Sequence, residues 1–87
     1  MLTSAWHGEA LSVSNRGNNA ALVFVTGEGS AGIRVTIRTA RTGRLVYRGL
    51  LAGLRDRAAG AVAAGVTRHF RVQTAGSGRV TLRWTAI

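Results

Sequence analysis

Residues 79–87, RVTLRWTAI, limit the possible folds more than any other stretch of the chain. Val80, Leu82, Trp84 and Ala86 fall on one side of an extended strand, and Arg79, Thr81, Arg83 and Thr85 fall on the other. Successive side chains of a strand point to opposite faces, so this alternation describes a strand with one buried and one wet surface. A ring as large as that of Trp84 needs a core to close around it. One strand cannot supply that core, so the rest of the chain has to provide the covering layer.

The remaining sequence reads as more strands. Residues 10–14 alternate Leu11 and Val13 with Ser12 and Ser14, and the following NRGNN is a turn whose Asn and Gly residues tolerate left-handed φ. Residues 20–26, AALVFVT, form a short, nearly continuous apolar run, which predicts a strand buried on both faces. In residues 33–39, Ile33, Val35 and Ile37 point inward and Arg34, Thr36 and Arg38 outward. Residues 40–43 turn the chain and 44–48 return it. Residues 67–74 set Phe70 and Val72 against His69, Arg71 and Gln73, and 75–78 form a loop of hairpin length before the last strand.

Residues 50–65 admit two readings. Leu50, Leu51, Leu54, Ala58, Ala61 and Val62 fit helical spacing, but Gly53 and Gly60 would each cost ~1 kcal/mol in a helix. Two short edge strands around the polar turn 55–57 also fit, and we adopt them. Residues 1–8 are a lead-in of loose pattern. Strands recurring about every ten residues predict an all-β fold: one antiparallel β-sandwich domain over residues 1–87, immunoglobulin-like or jelly-roll, of about seven strands. Val35, Ile37, Phe70, Val72, Leu82 and Trp84 are expected inside.

Composition narrows the chemistry. With 46% hydrophobic and 17% charged residues the chain is globular in character, and few aromatics leave the core to small and β-branched side chains. All twelve basic residues are arginine, set against Glu9, Glu28 and Asp56, for a formal charge of +9. That balance favours phosphate, anionic lipid or an acidic protein surface as a partner. The absence of cysteine excludes disulfides and thiolate metal sites. No apolar run approaches the ~20 residues of a membrane span. The opening residues lack the basic and apolar regions of a signal peptide, so either export by that route is not expected or the sequence starts after the cleavage site.

The motifs point away from catalysis. Residues 27–32, GEGSAG, spell G-x-G-x-x-G, but a dinucleotide site needs a helix next, and IRVTIRT is a strand pattern. A flexible hairpin loop is expected there. His7, His69 and Asp56 have no spacing that suggests a triad or a metal pair, so neither enzyme activity nor a metal or other cofactor is expected. The outward arginines carry more information. Arg34, Arg38, Arg71, Arg79 and Arg83 would form one guanidinium stripe interleaved with threonine if their strands were neighbours. With Phe70 and Trp84 claimed by the core, only Trp6 and Tyr47 stand out as free for base stacking, so an acidic protein surface suits the stripe better than nucleic acid.

The carboxyl-terminal half resembles a known family. LVYRGLLAGL (45–54), AGAVAAGVTRHFRV (59–72) and VTLRWTA (80–86) are similar to the closing half of camelysin/TasA-type bacterial surface proteins, and ALSVSNRGNNAALVF is similar to their opening strand–Asn–Gly–strand segment. The resemblance implies a jelly-roll or immunoglobulin-like sandwich that assembles into extracellular fibres by exchanging or adding strands. Small virion decoration proteins use similar sandwiches and carry no signal peptide. Both imply a non-enzymatic subunit of a homo-oligomer or larger assembly, without a small-molecule substrate and located at an extracellular or virion surface. Residues 1–8, with Leu2 and Trp6, are the expected donor arm. A basic nucleic-acid-binding module is the alternative.

Overall fold

The computed structural model describes residues 2–87; Met1, the first residue of the expected arm, lies outside the described residues. Eight strands follow one another: β1 (Leu2–His7), β2 (Ala10–Asn15), β3 (Ala21–Gly29), β4 (Arg34–Thr39), β5 (Leu45–Leu50), β6 (Arg57–Val62), β7 (Thr67–Ala75) and β8 (Val80–Ala86). They form a five-stranded sheet of order β1-β2-β7-β4-β5 and a three-stranded sheet of order β6-β3-β8, with every pairing antiparallel. The all-β sandwich is the architecture expected from the alternating segments.

The strand order identifies the roll. From the middle of the chain outward, β4 pairs with β5, β3 with β6 and β2 with β7. This nesting is a long hairpin folded over into two sheets, the jelly-roll arrangement. The outermost pairing of such a roll joins the first strand to the last. Here β1 instead turns back on β2 through the two residues Gly8 and Glu9, with Gly8 at φ 64. Glycine at the first loop position meets the positive φ that tight hairpins require.

The core lies between the sheets. Leu11 and Val13 of β2, Val35 and Ile37 of β4, and Phe70 and Val72 of β7 meet Val23 and Val25 of β3, Val62 of β6 and Leu82 of β8. Five of the six residues expected inside are buried, while Trp84 is half-buried, its ring centroid 4.9 Å from that of Phe70. It closes the side of the sandwich rather than filling its centre. β3 is buried on one face only: Leu22 is 55% exposed and Phe24 half-buried, because none of the described elements covers the outside of the smaller sheet. The loop after β7 is not a hairpin, since β7 and β8 belong to different sheets and the chain crosses between them. Residues 50–65 contain neither a long helix nor two edge strands. β5 runs through Leu50, Leu51–Gly53 make one 3₁₀ turn, and only Arg57–Val62 form a strand. Leu51 and Leu54 are buried at that corner.

Candidate functional site: an arginine face and an open sheet edge

Strand alternation places Arg34 and Arg38 of β4 and Arg71 of β7 on the outer face of the five-stranded sheet, where Arg38 stands directly opposite Arg71. Arg48 of β5 joins them, facing Thr36. The Nη1 of Arg38 donates to the carbonyl of Gly43 at 3.1 Å, and Arg71 lies 3.9 Å from Glu9. Thr36 and Gln73 pair between the guanidinium rows.

The expected stripe does not continue beyond these strands. Arg83 belongs to the other sheet and Arg79 stands just before its strand, because β8 pairs with β3 and not with β7. Arg83 is ion-paired with Glu28 across that ladder at 3.1 Å. The five arginines therefore divide, three on one outer face and two on the opposite side of the molecule. Arg48 was missed because the β4–β5 register shifts between Ile37 and Arg38, which obscures the alternation of residues 44–48.

The aromatics settle differently as well. Tyr47 is not free: it packs against the core, donates its hydroxyl to the carbonyl of Leu50 at 2.7 Å and lies under the Arg57 guanidinium at 5.6 Å. Trp6 stands opposite Leu11, on the core side of the larger sheet at its margin, and is 44% exposed. Leu2, two turns of the pleat away on the same side, is half-buried against the core. Among the described residues the arginine face carries His7 and His69 but no Phe, Tyr or Trp. His69 lies on that face, whereas Asp56 is bound to Thr26 of the smaller sheet, its backbone N–H donating to the threonine hydroxyl at 3.0 Å.

The G-x-G-x-x-G run serves packing. It leads into β4, not a helix. A Cβ on Gly27 would stand 2.6 Å from a Leu51 methyl, and one on Gly29 would collide with the Arg79 carbonyl. These glycines let β3 pass close under the 3₁₀ corner and the start of β8, and the expected hairpin loop is absent, since residues 27–29 belong to β3 and β4 lies in the other sheet.

β8 is an edge strand of the smaller sheet, and its outer edge is unpaired among the described residues. Leu22 and Ile87 exchange backbone hydrogen bonds at 2.9 and 3.2 Å. Hydrogen-bonded and non-bonded pairs alternate along an antiparallel ladder. Thr85, Arg83 and Thr81 therefore also turn their backbone groups toward β3, and Val80, Leu82, Trp84 and Ala86 turn theirs away. β1 runs near this margin but forms no ladder with β8.

No protein-family model, curated protein or solved structure matches the chain. Among the described residues no helix is long and apolar enough to cross a membrane.

Proposed function

We propose that this protein is a non-enzymatic structural subunit that joins copies of itself, or docks on a larger shell, through its sheet edges. The open margin of β8 carries the reading. An unpaired strand with outward N–H and C=O groups is a template for a further strand. In a complete roll the first strand would occupy that place, and β1 has the length to fill it: six residues against seven. In the assembly β1 of one copy leaves its own β2 and pairs with β8 of the next, which is the strand donation implied by the camelysin/TasA resemblance. The arginine face of Arg34, Arg38, Arg48 and Arg71 then meets an acidic protein surface. An extracellular fibre and a virion coat are the two settings that this mode of assembly suits.

The alternative, a basic nucleic-acid-binding module, draws on the charge of +9. A face whose only rings among the described residues are His7 and His69, with no Phe, Tyr or Trp, fits it poorly, since single strands are held largely by base–aromatic stacking. Light scattering on the full chain and on a chain lacking residues 1–8 tests the proposal. Higher-order species are expected from the first and monomers with an intact fold from the second. Equal assembly by both would remove the donor strand. A parent that stays monomeric at all concentrations, alone and with acidic proteins, would overturn the class.

A further inference from the structure

The turn between β4 and β5, residues 59–62 of β6 and the start of β7 line a cleft of about 720 Å³. That volume falls within the ~300–1,000 Å³ of small-molecule sites. Its apolar side is made by Val62, Val66 and Phe70, with Val66 41% exposed. Arg41, Arg44 and Arg68 line it as well, and no carboxylate does.

The turn bearing Arg41 and Arg44 is held firmly. The Thr39 N–H donates to the Arg44 carbonyl at 2.9 Å, and the Gly43 N–H to the Thr39 carbonyl at 2.8 Å. The Arg44 N–H also donates to the Thr39 hydroxyl at 3.1 Å, and the Ala40 N–H ties the turn to His69 of β7 at 3.0 Å. Glu28 and Arg83 pair on another face, Glu9 is near Arg71, and Asp56 is bound to Thr26. All three acids of the chain are thus engaged away from the cleft. Three arginines and no acid lining a half-apolar cleft raise the local potential, and a cleft focuses that field on whatever enters.

We infer that this cleft binds a small amphipathic anion, one oxyanion on a short apolar tail, with the tail against Val62, Val66 and Phe70 and the head among Arg41, Arg44 and Arg68. The inference is independent of assembly through β8, which lies on a different margin. Carboxylate and phosphate heads share the required chemistry, because guanidinium binds either with paired, charge-assisted hydrogen bonds.

The test is a titration of the full chain with octanoate, octyl phosphate and octylamine, followed by backbone amide shifts. Saturable shifts confined to residues 59–70 and the 39–44 turn are expected with the two anions and not with the amine. Tighter binding of octanoate than of octyl phosphate would assign the head as a carboxylate, and the reverse order as a phosphate ester. An Arg41→Gln/Arg44→Gln/Arg68→Gln chain should bind at least ~10-fold more weakly, the scale of one lost charge-assisted hydrogen bond. An Arg34→Gln/Arg38→Gln/Arg48→Gln chain should bind like the parent. Since the cleft arginines pair with no acid among the described residues, the first triple variant should also melt no lower than the parent, which separates lost binding from lost folding. Equal binding of the amine, equal weakening by the outer-face variant, or no saturable binding of either anion up to millimolar concentration would each overturn the site.

Discussion

Asn15 shows how much of the fold a single side chain can hold. It is 3% exposed at the end of β2, the only polar residue so buried among those described. Its Nδ2 donates to the carbonyls of Asn19 and Val62, both at 2.9 Å, and its Oδ1 accepts the Gly17 N–H at 2.9 Å. Its backbone bonds reach Val66 and Gly65. One amide thus closes its own turn and fastens the end of β6 in the opposite sheet. Asn15→Ala leaves a buried carbonyl and an amide without partners and should cost about 2–4 kcal/mol in urea unfolding, since each orphaned group costs ~1–3 kcal/mol. A loss below about 1 kcal/mol would mean that water replaces the side chain. Trp84 presents the opposite case. Its Nε1 is buried without a partner among the described residues. Trp84→Phe removes that unpaired donor along with some contact area, whereas Trp84→Ala opens a cavity beside Phe70. The Ala variant should lose about 3 kcal/mol and the Phe variant less than half of that, measured by the same unfolding curves.

At the scale of the element, the glycines of β3 and the outward half of β8 make distinct predictions. Gly29→Ala has to displace the Arg79 carbonyl from a backbone at φ 154, so it should destabilise more than Gly32→Ala, whose Cβ would meet open space but still at a positive φ of 80. Thermal melts of the two variants in parallel check the order. On β8, a Val80→Pro/Ala86→Pro chain loses two N–H groups that point away from β3, so the β3–β8 ladder stays whole while the edge stops accepting a strand. It should fold and remain monomeric where the parent assembles; unchanged assembly would exclude the β8 edge. Most of these strands were legible in the sequence. Val35, Ile37, Phe70, Val72 and Leu82 announce their faces through period-two alternation, and their burial follows. Sheet membership was not legible. The loop 75–78 has the length of a hairpin, yet a loop records only the distance it spans, so the step from β7 into the other sheet left no local sign. That step is what divided the five arginines. β1 had left a sign, with Leu2, Ser4 and Trp6 alternating against Thr3, Ala5 and His7 before a Gly-Glu turn.

For the whole molecule, net charge is the first lever. A charge of +9 is confined to a body of 38 × 22 × 19 Å. At 10 mM salt the screening length of ~30 Å spans most of it, and at 0.15 M the ~8 Å length isolates neighbouring groups. Self-repulsion opposes the compact state, so the melting temperature should rise by about 4–8 °C between these salt concentrations, corresponding to ~1 kcal/mol for a domain of this size. A flat or falling profile would show that the arginines are already compensated in the fold. The order of the roll has a second consequence, in time rather than in energy. Ser14 and Thr67 meet across the β2–β7 ladder although 53 residues separate them, while β1 reaches β2 across two. Distant pairings place a domain at the slow end of folding, milliseconds to seconds, and a tight hairpin closes in microseconds. On a growing chain β1 would therefore cover one flank of β2 long before β7 exists to cover the other, so the strand proposed to bind a neighbour in the finished assembly would first serve as a chaperone within its own chain.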